Sequence, residues 1–379
     1  MIKKPNLLIL EGLPTISGGQ QVLLDMIPAM QAISNPSAML PDTGPLAEAL
    51  QKQFIPCSLA PLGTYTLVKK TPKDVFNYIL RLPWLTHITW QKIRKEAIDL
   101  VYANSARTFV WGSLAAALTK RPIIWHHHNL LADKKTLALL RTVGRLPAVQ
   151  RIICVSEEAR QQFPNLKDKT IVIPNGVDID KFRPLPTLGT TIRQELGIPP
   201  ESHVVGLVGD IIELKGQQTL LEAVTTLYPK IYCLIVGDSR ANDATSAAYT
   251  QRLKKMAGEK IIFTGRRKDL PAVLNALDLL VIASERETGP LVLLESLACG
   301  TPVLSTPVGR APNLLAKEAL FPIGDATALR KRLQSWLNDP PKLLDAKTAA
   351  RDLVCSRASL EQFRSRVQAE IKNVLTQSI

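Results

Sequence analysis

The sequence lacks any run of about eighteen apolar residues, the shortest stretch that predicts a membrane-spanning helix. Two lysines precede a short apolar run at the amino terminus, but Glu11 interrupts that run directly after Leu10, and a glycine-rich loop follows. We therefore predict a first β-strand at this position, and neither a secretion signal nor a membrane-spanning helix.

Cysteine is also scarce, with five residues in a chain of 379. The five share no metal-ligand spacing and mostly lie in apolar runs, which predicts reduced, buried thiols and a cytosolic protein. No cluster of metal ligands is evident, so no metal cofactor is expected.

Apolar sequence is abundant, in short runs. Hydrophobic residues make up 46% of the chain and mean hydropathy is close to zero, which excludes a disordered protein. The length suffices for two α/β domains of ordinary size, each with its own core.

Strand-like runs alternate with helical segments along the chain. They are NLLILEG, IDLVYANS, PIIWHHHN, RIICVSEEA and TIVIPNGV in the first half, and HVVGLVGD, IYCLIVGD, KIIFTG, LDLLVIAS and TPVLSTPVG in the second. Such alternation is typical of βαβ units and predicts an α/β fold with two parallel sheets, whose ligands bind beyond the carboxyl ends of the strands. The predicted domains are 1–182 and 203–360, with a proline-rich linker at 183–202 and a C-terminal helix at 361–379 that packs back on the first domain.

Positive charge is concentrated in the first half. The formal net charge is +14, and residues 1–185 hold 23 Lys and Arg against 13 Asp and Glu. The excess is densest at 67–95, where cations beside tryptophans suit an anionic membrane surface. The candidate membrane residues are Lys69, Lys70, Lys73, Trp84 and Trp90. Ordinary amphipathic helices with inward aromatics would explain the same pattern, and no nucleic-acid-binding module is present.

Two glutamates eight positions apart, in the segment ERETGPLVLLESLACGTPV at 285–303, are the most informative feature. The apolar run before them predicts a buried parallel strand. Pro290 suits the first helical position, and Glu295 is the one ionisable group of a helix that is apolar on nearly every side. A buried carboxylate needs hydrogen-bond donors, which sugar hydroxyls would supply. A capped core helix whose glutamate bonds to nearby backbone is the alternative.

The segment 208–224 predicts a phosphate site. Its strand ends at Gly209 and a helix opens near Gln217, so Lys215 lies at the start of that helix. A cation together with the free N–H groups of a helix start neutralises a diphosphate without a metal ion. A solvated surface lysine is the alternative.

Three consecutive histidines end the strand predicted at 122–131. Alternate residues of a strand share a face, so His126 and His128 point to the same side. A zinc site there would need further ligands, and plain structural histidines are the alternative.

Taken together, these motifs resemble the retaining glycosyltransferases of family four, which have the GT-B fold of two Rossmann-like domains closing over a nucleotide-sugar. The resemblance covers essentially the whole chain, and the segments occur in the family's order. They are the glycine loop Ser17 to Gln21, the histidine stretch, PNGVD from Pro174, Gly209 to Gly216, Glu287 to Glu295, and CGTPV from Cys299.

The resemblance implies a role for each motif. Lys215 would hold the donor diphosphate, Glu287 the transferred sugar and Glu295 the ribose, while His128, or as a second choice His126, would face the donor sugar. The implied catalytic residues are His128, Glu287 and Lys215. The implied donor-binding residues are Gly18, Gly19, His126, Asn175, Gly209, Lys215, Gly289, Pro290, Leu291, Val292 and Glu295.

The chain departs from the family pattern at two places. The family commonly has an arginine where this chain has Asp210, and Pro-Phe-Gly where this chain has Thr288-Gly289-Pro290. An acid facing a diphosphate is repulsive, so Asp210 is expected to point away, to bridge to a neighbouring cation, or to weaken donor binding. The candidate replacement phosphate contacts are Arg266, Arg267 and Arg310.

We therefore expect a metal-independent, retaining glycosyltransferase that moves a sugar from a UDP- or GDP-linked donor to a lipid-linked or glycan acceptor. It would need no cofactor and no nucleic acid, and it would act in the cytoplasm, peripherally at the inner face of an anionic membrane. The alternatives are a catalytically silent nucleotide-sugar-binding or membrane partner protein, and a nucleotide-sugar epimerase on the same fold.

Overall fold

The apolar runs of both halves form parallel strands flanked by helices. The computed structural model describes residues 4–62, 72–227, 231–240 and 243–377. The chain divides into a first unit, Met1–Asn175 with Glu361–Ile379, and a second unit, Gly176–Leu360.

In the described part of the chain, the first unit contains a seven-stranded parallel sheet with the order β3-β2-β1-β4-β5-β6-β7. Its strands are β1 (Asn6–Leu10), β2 (Asn35–Leu40), β3 (Cys57–Leu59), β4 (Leu100–Ala103), β5 (Ile123–His127), β6 (Val149–Cys154) and β7 (Thr170–Val172). The strand order reverses between the neighbours β1 and β4, which pair directly. Ligands of open α/β sheets bind at such a reversal, so the residues after β1 and β4 are of interest.

Helices flank this sheet. They are α1 (Gly18–Ile33), α2 (Pro45–Lys52), α3 (Pro72–Lys95), α4 (Ala106–Thr119), α5 (Lys134–Val143) and α6 (Glu157–Gln161). Phe109 of α4 stacks on Trp125 of β5 with ring centroids 4.5 Å apart, and the Trp125 indole donates to Ser113 Oγ at 3.0 Å. A buried aromatic pair whose indole N–H is satisfied fixes α4 against the sheet.

In the second unit, the described residues form a five-stranded parallel sheet with the order β10-β9-β8-β11-β12. Its strands are β8 (His203–Val208), β9 (Ile231–Val236), β10 (Ile261–Gly265), β11 (Leu279–Ile282) and β12 (Val303–Ser305). Here the order reverses between β8 and β11, which are also direct neighbours.

The helices of the second unit are α7 (Pro186–Glu195), α8 (Gln217–Thr225), α9 (Ala244–Met256), α10 (Leu270–Ala276), α11 (Leu291–Ala298), α12 (Ala311–Leu314), α13 (Ala326–Leu337) and α14 (Pro340–Arg357). Residues 183–202, predicted to be a linker, contain α7 and lie inside this unit. Arg193 of α7 secures it to the unit, because its guanidinium bonds to Asp278 at 3.0 Å and to the Ala276 carbonyl at 2.8 Å.

The last helix, α15 (Leu360–Gln377), belongs to the first unit from Glu361 onward. Arg364 Nε donates to the carbonyl of Asp25 and Gln368 Nε2 to that of Ala29, both at 2.6 Å, so α15 is bonded along α1. Within the described ranges, no helix combines the length and the apolarity that crossing a membrane requires.

Helix α3 contains most of the basic segment that we predicted to bind a membrane. Trp90 packs against the core of the first unit, so this tryptophan follows the amphipathic-helix interpretation and not the membrane one. Trp84 is 46% exposed. Other exposed apolar side chains of α3 are Val75, Phe76, Ile79 and Leu80. Lys69 and Lys70 lie outside the described residues, as does the side chain of Lys73.

Candidate functional site

The loop after β8 closely approaches the end of β11. The chain makes a 3-10 turn at Glu213–Lys215 and enters α8 at Gln217, as predicted. Gly216 precedes this helix with φ 69°, and a Cβ there would lie 2.1 Å from the carbonyl oxygen of Ala283. Glycine is therefore required for Lys215 to be held beside the β11 end.

Lys215 and Glu287 are brought into contact at this reversal of strand order. Lys215 Nζ lies 2.5 Å from Glu287 Oε1, and the Ser284 hydroxyl donates to the same oxygen at 2.9 Å. A small pocket beside them is lined by these three side chains, by Val292 and by the last residues of β8 and β11. The structure thus brings the residue predicted to bind phosphate, Lys215, into contact with the residue predicted to bind sugar, Glu287. Each neutralises the charge of the other.

Asp210, the residue that departs from the family pattern, is bridged to two arginines. Its carboxylate accepts from Arg240 Nε and from Arg266 Nη2, each at 2.9 Å. Its carbonyl accepts from the buried Gln217 side chain at 2.9 Å, which ties the loop to the start of α8. Arg266 was among the predicted replacement cations, whereas Arg240 was not.

Arg267 was also a predicted replacement contact, and the structure argues against that role. Its guanidinium bonds to Glu195 at 2.6 Å and to Asp269 at 2.6 Å, and these bonds raise its pKa further. Its Nε, Nη1 and Nη2 all donate to these two carboxylates, so a phosphate would have to compete with both ion pairs. Arg310 is the N-cap of α12, where the preceding Gly309 packs closely against the Thr288 carbonyl.

Helix α11 spans Leu291–Ala298 as predicted, but Pro290 is its N-cap and not its first helical residue. The extended ψ of 120° at Pro290 places it just outside the helix. One side of α11 is buried, while Leu291, Val292 and Glu295 are only half-buried. We expected a helix that is buried on every side, and the structure does not show one. Burial, with Glu295 nearby as a second cause, raises the pKa of the Cys299 thiol to about 12.

A buried hydrogen-bond network occupies the corresponding reversal in the first unit. Glu11, directly after β1, accepts from the backbone N–H of Gly12 at 2.6 Å and from Asn104 Nδ2 at 2.7 Å. Asn104, directly after β4, also donates to the Gly19 carbonyl at 3.2 Å. Burial raises the pKa of Glu11, and the bonds from Asn104 and Gly12 oppose that rise.

His128 joins this network. Its Nε2 lies 3.0 Å from Asn104 Oδ1, and because the Asn104 amide nitrogen faces Glu11 and Gly19, the oxygen must be the acceptor and Nε2 the donor. Burial lowers the pKa of His128 to about 3, so the ring is neutral at physiological pH. Gly19 permits this contact, because a Cβ there would lie 3.3 Å from the His128 ring.

The other two histidines are also buried, and each makes one side-chain hydrogen bond. The His126 ring lies beside that of His128, with centroids 4.0 Å apart, and its Nδ1 bonds to the Tyr102 hydroxyl at 2.7 Å. His127 points to the opposite side, where Nε2 meets Gln162 Oε1 at 3.2 Å. Across the residues that the structure describes, no group of three or more His, Cys, Asp or Glu is placed to hold a metal ion.

Two further predicted residues, Gly18 and Asn175, lie in the first unit. Gly18 is the first residue of α1, which a capping box between Ser17 and Gln20 begins. Asn175 follows β7 and is buried. The sequence reasoning missed Glu11, Asn104 and Arg240. Each lies at or just beyond the end of a predicted strand, and this position was the available signal. The order of the strands in the sheet was also needed, because it brings each residue to its partners.

Two family models match the chain. The model of Glycosyltransferase Family 4 matches residues 40–181, and that of Glycosyl transferases group 1 matches residues 190–353. The chain belongs to the GT-B glycosyltransferases of the family-four type.

Curated relatives of this glycosyltransferase act on different acceptors. It is 27% identical to the UDP-Gal:alpha-D-GlcNAc-diphosphoundecaprenol alpha-1,3-galactosyltransferase of Escherichia coli, over 77% of this chain and 76% of that one. It is 36% identical to the D-inositol 3-phosphate glycosyltransferase of Corynebacterium jeikeium over 58% of this chain. The chain spans only 59% of that second relative.

Solved structures show the same fold. Anabaena Alr3699/HepE in complex with UDP and glucose has a TM-score of 0.84 at 22% identity, covering 97% of this chain and 99% of that one. The lipopolysaccharide outer core galactosyltransferase WaaB has a TM-score of 0.68 at 14% identity, covering 99% and 100%. At these identities the similarity establishes the GT-B fold.

Proposed function

We propose that this glycosyltransferase moves a hexose from a UDP-linked donor to a hydroxyl of a lipid-linked or glycan acceptor, with retention of configuration and without a metal ion. The observation that carries the proposal is the contact between Lys215 and Glu287 at the strand-order reversal of the second sheet. UDP is favoured over GDP because the Escherichia coli relative uses UDP-Gal and the Anabaena protein was solved with UDP and glucose.

The Lys215–Glu287 pair suggests how the donor enters. The donor diphosphate replaces Glu287 as the partner of Lys215, and the released carboxylate then accepts from hydroxyls of the sugar. An ion pair that is half-buried and already formed keeps both side chains in position before the exchange. The backbone N–H groups at the start of α11, together with Lys215, stabilise the charge of the leaving diphosphate.

The proposed reaction is a front-face substitution. The bond from sugar C1 to the diphosphate oxygen breaks, a bond from the acceptor oxygen to C1 forms on the same face, and the acceptor proton passes to the departing β-phosphate oxygen. Once Lys215 has turned to the diphosphate, the Glu287 carboxylate accepts from the Ser284 hydroxyl and from hydroxyls of the sugar, so its role here is to hold the sugar and not to attack C1. This favours direct transfer over a covalent sugar-enzyme intermediate.

A transfer assay tests the proposal. Purified protein is incubated with UDP-glucose or UDP-galactose, with and without a lipid extract and with chelator present, and NMR reports the anomeric configuration of any product. Transfer with retention is expected. An inverted product contradicts the proposed chemistry, and UDP binding without turnover for any acceptor favours the catalytically silent binder.

We also propose that the first unit docks on anionic membrane through the outer face of α3. The exposed apolar side chains Phe76, Ile79, Leu80 and Trp84 give that face an insertable surface, and Arg81 beside them is exposed. The basic excess of the first half adds long-range attraction.

Liposome flotation tests the docking surface. Binding to vesicles with anionic lipid should weaken as salt rises, since the Debye length is about 8 Å at physiological ionic strength. Replacing Lys69, Lys70 and Lys73 with glutamate should weaken it further, and Trp84→Ala should remove the salt-resistant part. Trp90→Ala, which alters a core-facing side chain, is the matched control. A protein that fails to float at low salt would point to a soluble acceptor.

A further inference from the structure

Two arginines lie next to the proposed diphosphate site, on the side away from Glu287. Arg240 follows β9 and Arg266 follows β10, in a sheet where β10, β9 and β8 are neighbours and run parallel. The carboxyl ends of these strands therefore share one edge with the loop that holds Lys215. Cations from three adjacent strands are thereby collected at the edge where α/β sheets bind ligands.

Asp210 forms an ion pair with each of the two arginines. One of its carboxylate oxygens accepts from Arg240 and the other from Arg266, each at 2.9 Å. The Asp210 and Arg240 side chains are about one-third exposed, and Arg266 is 62% exposed, so solvent reaches this cluster. A guanidinium has five N–H donors, and one bond to Asp210 leaves others for an anion.

The cluster is adjacent to Lys215. A Cβ on Gly209 would lie 3.5 Å from Lys215 Cε, so the lysine stem lies over the residue directly before Asp210. Two arginines and one aspartate carry one net positive charge, so this cluster remains cationic although residue 210 is an acid.

We propose that Arg240 and Arg266, oriented by Asp210, bind the donor diphosphate in place of the arginine that follows the glycine in other members of the family. Arg240 is the direct contact that no sequence motif indicated, and Asp210 is a positioning residue. This inference rests on the proposed function, because it assumes a nucleoside diphosphate at the Lys215 edge.

Calorimetric titration with UDP and with uridine tests the role of Arg240. Arg240→Gln should weaken UDP binding about tenfold or more, through loss of a charge-assisted bond to phosphate, and leave uridine binding unchanged. The matched control is Arg357→Gln, which removes an exposed arginine at the end of α14 in the same unit and should change neither affinity. Equal UDP affinity in Arg240→Gln and the unchanged protein would overturn the inference. Should Arg240→Gln fail to fold, Arg266→Gln supplies the same test.

A second variant distinguishes a positioning role of Asp210 from a purely electrostatic one. Asp210→Asn adds one net positive charge, so attraction alone would tighten UDP binding. If Asp210 instead orients the two arginines, the variant should bind UDP more weakly while thermal unfolding shows an intact fold. Tighter or equal binding would overturn the positioning role.

These outcomes are distinct from failure of the proposed function. A protein that binds neither UDP nor GDP contradicts the donor assignment itself. A protein that binds UDP through Lys215 but is insensitive to Arg240 contradicts only this inference.

Discussion

The two sheets reverse their strand order at β1 and β4 in the first unit and at β8 and β11 in the second, and different chemistry stands at each reversal. Glu11 and Asn104 follow the first pair of strands, almost fully buried and joined by a hydrogen bond. Lys215 and Glu287 follow the second pair, half-buried and joined as an ion pair. The shared topology decides where a site forms, and the side chains decide what it can bind.

The two edges also differ in charge. In the first, burial lowers the pKa of His126 and His128 and raises that of Glu11, so charge is disfavoured throughout. In the second, Lys215, Arg240 and Arg266 are charged and reach solvent. An anionic donor therefore suits the second edge, whereas the first suits uncharged, hydrogen-bonding groups.

Glu287→Gln should give the largest effect at the charged edge. Turnover should fall about a hundredfold or more, since the amide lacks the charge proposed to act on the sugar, while UDP affinity should be no weaker because Lys215 loses its competing acid. Initial rates and UDP titration measure the two quantities. A folded variant that no longer binds UDP would show that Glu287 had been assigned to the wrong end of the donor.

Acid should destabilise the first unit through its buried histidines. The folded-state pKa of His127 is about 4 and that of His128 about 3, below the ordinary 6.5, so their stabilising contribution is present above pH 6.5 and is lost as pH falls toward those values. Between pH 6.5 and 5 each of these two histidines should lower the free energy of unfolding by about 1.6 kcal/mol.

Urea denaturation at the two pH values measures this loss. His127→Gln should show a shallower pH dependence than the unchanged protein, because one proton-binding group of the unfolded chain has been removed. Stability that does not change over this range would mean that these rings are not held neutral by burial.

A smaller effect is expected from His128→Ala. Turnover should fall about tenfold through disorder of the Gly19 and Asn104 contacts, with UDP affinity unchanged because we propose that the nucleotide binds the other unit. Replacing the exposed His87 with alanine is the control. If His128→Ala loses UDP binding and the His87 control does not, the proposal that the nucleotide binds only at the second edge is wrong.

Much of the fold could be predicted, since apolar and β-branched runs marked ten of the strands that the structure describes. β2 and β3 were missed for physical reasons. The sequence of β2, NPSAML, contains proline and serine and no β-branched residue, and it is a strand because β1 and β3 pair with it on either side. β3 has the sequence CSL, without the β-branched residues that marked the equally short β7 and β12.

The site was predictable where one motif carried it. The Lys215 turn and helix α11 lie where their local sequences indicated. Arg240 as a partner of Asp210 and Asn104 as a partner of His128 were not predictable, because only the order of strands in each sheet brings these residues together. Hydrogen bonds between residues 93 positions apart, as for Glu11 and Asn104, leave no local signal.

Titration of UDP with chelator present, into the unchanged protein and into Lys215→Ala, tests the central claim that the charged edge of the second sheet is the nucleotide site. Binding without a divalent ion is expected, with affinity at least about tenfold lower in Lys215→Ala and unchanged in Lys331→Ala, a control at an exposed lysine of the same unit. Equal affinity in Lys215→Ala, or binding only when Mg²⁺ is added, would contradict the account.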